Sequence, residues 1–168
     1  TLKSKIAATA DTRTIYTSNA GSLVPFEYAN LNAADFDSAK LSGLSQWLAL
    51  TPTQQAAAVG ANLVNFIRGQ TGYEDRGSNI ADNRIYRYRE AALGDIVESR
   101  PTFVGKPFFN YSDPGYQAFK DAQAGRVKTV FVGANDGMLH AFDAGTGEEY
   151  WAYVPSMVVP ELWRLADK

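Results

Sequence analysis

His140 is the only histidine in the chain, and Asp136 and Asp143 stand on either side of it. A Ser–His–Asp hydrolase needs such a histidine beside a carboxylate and a hydroxyl nucleophile. No serine here sits in the strained strand-to-helix elbow that exposes one. A lone histidine in an apolar run therefore reads as a hydrogen-bonded core residue. Zinc would have to complete its ligand set with carboxylates alone, because the chain has no cysteine. Asp143, Glu148 and Glu149 are the carboxylates that glycoside hydrolysis would use in facing pairs. Neighbours on a strand point to opposite faces, so Glu148 and Glu149 are not such a pair. Asp35 and Asp37 alternate as calcium ligands do, but no central glycine or closing glutamate follows. The glycines of "GANDG" and "AGTG" open no helix, so they do not form a phosphate cradle. They supply the positive φ of tight hairpins instead.

A chain of 168 residues is long enough to bury one core. Sixteen basic residues against eighteen acidic ones leave a net charge of −2, which gives no overall pull towards nucleic acid or an anionic membrane. No apolar run approaches the roughly 20 residues of a membrane span. The absence of cysteine removes thiolate metal sites, thiol nucleophiles and disulfides together. A chain opening on Thr1 rather than Met reads as a processed or excised piece.

The elements that must position these residues change character along the chain. Arg13–Thr17 and Leu23–Tyr28 read as a hairpin joined by "SNAGS", with Pro25 restricting the second strand to an edge. Asn32 to Lys40 reads as a short capped helix ended by Gly43. Thr51-Pro52 is a strong helix start, and Ala56, Val59, Leu63, Phe66 and Ile67 recur at helical spacing up to Arg68-Gly69. Residues 69–83 are polar and Gly-rich, hence a loop. In "RIYRYRE" basic and aromatic residues interleave, and an exposed strand or arm pairing with carboxylates is favoured over a nucleic-acid surface. Asp95–Glu98, Pro101–Gly105, Lys128–Gly133, Met138–Asp143 and Glu148–Pro155 read as strands, with a short helix within "DPGYQAFKDAQAGR". The last three strands form an antiparallel meander whose dense apolar content wants cover on both faces, as a propeller blade has.

The run "VFVGANDGMLHAFDAGTGEEYWAYVP" resembles the signature of the PilY/PilC family of type IV pilus tip-associated adhesins, in the N-terminal portion of their C-terminal β-propeller. "LVNFIRGQ", "YRYREAALGDIVESRPTFVG" and "VPELWRLADK" extend the resemblance over roughly residues 60–168. What carries over is a structural signature: Gly133, Asn135, Asp136, Gly137, His140, Asp143, Gly147, Trp151 and Pro155, as turn formers and blade core. The resemblance implies a non-enzymatic role in pilus biogenesis, retraction control and surface adhesion, in an exported protein at the pilus tip, outer membrane or cell surface. It implies no cofactor within this chain, since the family's calcium loop would lie beyond Lys168. The implied partners are the remainder of the propeller (in cis or as a separate chain), minor pilins or other tip components, and a host or abiotic surface.

The expected fold is mainly β with helical insertions, a partial β-propeller with a quinoprotein-like blade. Residues 1–90 form a run-in with a hairpin and a helix around 52–68, and residues 91–168 form the first blade or blades. The alternative classes are a fragment of a pyrroloquinoline-quinone dehydrogenase propeller, whose repeats share this grammar, and a generic envelope scaffold. An incomplete propeller leaves an uncovered apolar face.

Overall fold

The computed structural model describes residues 1–168. Its centre is a six-stranded sheet made of β1 (Ile15–Asn19), β2 (Ser22–Pro25), β3 (Thr102–Val104), β4 (Thr129–Ala134), β5 (Met138–Asp143) and β6 (Glu149–Val154). The spatial order is β2-β1-β6-β5-β4-β3. β3 to β6 form an antiparallel meander. The N-terminal hairpin joins it through β1, which runs parallel to β6 with Ile15 opposite Ala152. One sheet thus spans both the run-in and the blade segments.

Turn chemistry fixes the hairpins. Asn135-Asp136-Gly137 joins β4 to β5, with Gly137 at φ +85. Leu162 Cδ2 lies 2.6 Å from where a Gly137 Cβ would stand, so the glycine serves both the turn and the packing above it. Between β5 and β6 only Gly147 takes a positive φ; Gly145 does not. Ala20, at φ +49, is the one non-glycine in the left-handed region and turns β1 into β2.

The helical layer comprises α1 (Ser38–Leu41), α2 (Pro52–Ala57) and α3 (Ala61–Ile67), with α4 (Tyr116–Ala122) apart on the β3–β4 connection. The helix expected over 52–68 is broken at Gly60, whose φ of +67 redirects the chain and whose N–H donates to the Phe36 carbonyl. The apolar stripe is divided accordingly: Leu63, Phe66 and Ile67 are buried while Ala56 is exposed. Thr51 caps α2 reciprocally with Gln54, the side chain of each meeting the other's backbone N–H. Thr51→Ala is expected to lower stability by about 1 kcal/mol, read from a denaturant midpoint at unchanged slope.

Two other expectations are corrected. Asp95–Glu98 forms no strand; its path is set by single bonds such as Asn135 N–H to the Asp95 carbonyl, and Val97 is exposed. "RIYRYRE" is neither a strand nor an exposed arm throughout. Ile85 and Tyr86 are fully buried, and the Tyr86 hydroxyl donates to the Ala58 carbonyl. The arginine pairing does occur: Arg89 and Arg76 both bind the buried Glu74. Burial lowers the Arg89 pKa against the pull of Glu74, and its guanidinium lies 3.7 Å from the centre of the Phe66 ring.

The core lies between one face of the sheet and the helical layer. Ile15, Met138, Ala152 and Val154 from the sheet meet Phe36, Leu63, Phe66 and Leu162. The opposite face of the same strands has no such layer. Tyr16, Leu23, Leu139, Trp151 and Tyr153 line a wholly hydrophobic depression there, of about 330 Å³.

Candidate functional site

The signature hairpin covers a buried polar spine. His140 on β5 and Glu149 on β6 point to the core face, and both are almost inaccessible. Glu149 Oε1 lies 2.8 Å from His140 Nδ1. Arg13, just before β1, grips the same carboxylate with two N–H···O bonds of 2.8 Å. Asp136 in the β4–β5 turn reaches back to His140 Nε2, with both oxygens at 3.1 Å.

Both imidazole nitrogens therefore face carboxylates, which only accept, so the ring carries both protons. Burial alone would lower the His140 pKa, but the hydrogen bonds to Asp136 and Glu149 outweigh it and the net shift is upward. Burial would likewise raise Glu149, yet His140 and Arg13 hold it down to about 2. Two cations and two carboxylates leave the cluster neutral.

The spine continues into the run-in. Arg13 Nη1 donates to the Arg68 carbonyl, and Arg68 in turn binds Asp11 and the carbonyls of Phe26 and Arg13. Asp136 also ties the strap ahead of β3. Its Oδ2 accepts from Gly94 N–H and its Oδ1 from Met138 N–H. An open polar cleft of about 560 Å³ runs between this strap and the turn, with Asn135 and Asp136 on its wall.

The structure brings four signature residues, Asn135, Asp136, Gly137 and His140, together around this turn. The Gly133 N–H in β4 donates to the Ser99 hydroxyl oxygen. Asp143 lies apart in the β5–β6 turn, where the Tyr150 hydroxyl, then Thr146 and Gly145 N–H groups, hold its pKa near 2. Gly147 closes that turn. Trp151 faces away from the spine, 5.8 Å from the Phe131 ring. Pro155 follows β6 and accepts the Val158 N–H. Glu148 and Glu149 part as strand neighbours must: Glu148 pairs with Lys5 at the surface while Glu149 is buried. Arg13, Arg68 and Asp11 are the members that the sequence reading missed. Their only signal was an odd one, charged residues flanking apolar runs far apart in the chain.

The cluster ties β5 and β6 to the β4–β5 turn and to the segment before β1. No hydroxyl lies within hydrogen-bond reach of His140, and every polar atom of the ring is engaged. No group of three or more Asp, Glu or His side chains is arranged to hold a metal ion.

A meander with glycine turns, one face on a core and the other apolar and free, is the architecture of a β-propeller segment. Residues 93–163 match the family model described as the PilY1 beta-propeller domain. The chain is 38% identical over 159 residues to the type IV pilus biogenesis factor PilY1 homolog of Xylella fastidiosa, a match covering 88% of this chain and 13% of that protein. Against type IV pilus biogenesis factor PilY1 of Pseudomonas aeruginosa it is 37% identical over 166 residues, 92% of this chain and 13% of that one. No solved structure matches. The chain belongs to the PilY1 family and spans 13% of the length of these relatives.

Proposed function

We propose that this chain forms the opening segment of the β-propeller in a type IV pilus biogenesis factor, and that it acts as shape and not as a catalyst. The observation that carries the reading is the two-sided character of its sheet. One face is locked to the helical layer through the His140 cluster; the other presents Tyr16, Leu23, Leu139, Trp151 and Tyr153 uncovered. In a propeller such a face receives the neighbouring blade. The names of the relatives support a place in the cell envelope with the pilus machinery. Within that setting the segment supports pilus assembly, control of retraction and adhesion, with the rest of the propeller as its first partner and minor pilins and the contacted surface beyond it. The quinone-dehydrogenase and generic-scaffold alternatives are not favoured, because these relatives bear the pilus name.

The reading is tested on the uncovered face. Leu23 is 65% and Leu139 37% exposed, so replacing both by Lys is expected to change the stability of this chain by no more than about 1 kcal/mol each. In a full-length family protein the same pair buries two ammonium groups between blades, which is strongly unfavourable. A strain carrying only that variant is expected to assemble few surface pili. Normal piliation and adhesion would contradict the reading.

A further inference from the structure

The connection between β3 and β4, residues 105–128, carries aromatic side chains that the core does not use. No residue in it is buried. Phe108, Phe109, Tyr111, Tyr116 and Phe119 form a continuous ladder, with successive ring centres 4.2 to 5.9 Å apart. Phe108 is 71% exposed, and Phe109 and Tyr111 are more than half exposed. At ~200 Å² per aromatic side chain, these rings present on the order of 500 Å² of apolar surface, within the range that is functional on soluble proteins. Neighbouring rings meet at 34 to 77°, tilted or edge-on and not in parallel stacks, so the ladder is an uneven apolar ridge and not the single flat platform on which a sugar ring lies.

Charge indicates what the patch meets. The same stretch holds Lys106, Lys120, Arg126 and Lys128 against Asp113 and Asp121, a local excess of positive charge in a chain whose net charge is −2. Whole-chain charge gives no pull towards anionic membranes, whereas this excursion does. Aromatic rings beside basic residues match the boundary of an anionic bilayer, where rings enter the headgroup region and ammonium groups remain at the phosphates. We infer that residues 105–128 form a peripheral membrane-contact arm that seats on an anionic phospholipid surface.

The test is co-sedimentation of the chain with vesicles of phosphatidylcholine alone or with about 30% phosphatidylglycerol, at low salt and at about 0.5 M salt. Binding is expected to be at least about ten-fold stronger on the anionic vesicles and to weaken with salt. Phe108→Ser with Phe109→Ser is expected to abolish it, while near-UV circular dichroism reports the fold retained, since neither side chain is buried. Lys106→Ser with Lys120→Ser is expected to reduce it several-fold. The inference is overturned by no binding, or by binding that survives the Phe108/Phe109 variant. It is equally overturned if binding is lost on Leu23→Lys with Leu139→Lys, which would place the contact on the sheet face. A full-length family protein that does not bind the vesicles would show the rest of the protein covering the arm, and would also overturn it.

Discussion

Glu149→Ala is expected to lower the unfolding free energy by about 3–5 kcal/mol, the cost of breaking a buried ion pair by removing one partner. Arg13 loses both of its carboxylate bonds and His140 loses its Nδ1 partner, each inside a site with almost no solvent contact. For a chain of this size that corresponds to a melting temperature lower by on the order of 10 °C. Arg13→Met combined with Glu149→Leu is expected to recover part of the loss, because the Arg13 charge goes with its partner and His140 keeps Asp136, while the His140 Nδ1–H stays unpaired; the coupling follows from a double-mutant cycle with the single variants Arg13→Met and Glu149→Leu. The pH dependence follows from the two shifts. Glu149 is depressed from 4.5 to about 2, so its contribution is present above pH 4.5 and is lost as pH falls towards 2. His140 is raised above 6.5, so its contribution is complete below pH 6.5 and is lost as pH rises through the folded-state value. Stability from this cluster is therefore greatest between about pH 4.5 and 6.5, and urea titrations across pH measure it directly. In the Glu149→Ala variant the acid limb is expected to shrink.

Gly94→Ala is the second large effect. A Cβ there would lie 2.3 Å from the backbone nitrogen of Asp136 and 2.8 Å from the carbonyl carbon of Asn135. Both are main-chain atoms of the β4–β5 turn and cannot rotate aside, unlike the end of a long side chain. The strap must lift, which breaks the Gly94 N–H bond to Asp136 and the Asn135 N–H bond to the Asp95 carbonyl. We expect a loss of about 3 kcal/mol, at the upper end for overpacking, measured by chemical denaturation. Gly147→Ala is the comparison: its φ of +69 is unfavourable for alanine but nothing stands within 4 Å, so only about 1 kcal/mol is expected. Equal losses at the two positions would show that the strap does not press on the turn as described.

The meander was legible because its signals are local. Asn135-Asp136-Gly137 and Gly145-Thr146-Gly147 mark turns by residue type, and β5 spans the same Met138–Asp143 that the apolar run outlines. Thr51-Pro52 marked a helix start for the same reason. The break at Gly60 was hidden by the regular recurrence of Ala56, Val59 and Leu63, because periodicity reports which face is apolar and not whether the axis continues. The candidate site was legible only in part. Asp136 and His140 are close in sequence, but Arg13 reaches Glu149 across more than a hundred residues, and no local pattern encodes that pairing. Asp95–Glu98 read as a strand because Ile96 and Val97 favour extended backbone, yet no partner strand is placed beside them.

The most direct measurement is the solution mass of this chain by light scattering, alone and with the propeller sequence that follows this region in the family supplied as a separate polypeptide. A one-to-one complex that does not form with Leu23→Lys and Leu139→Lys is the predicted result. A monomer indifferent to the added polypeptide would contradict it, because the apolar face of the sheet would then not be the seat of the rest of the propeller.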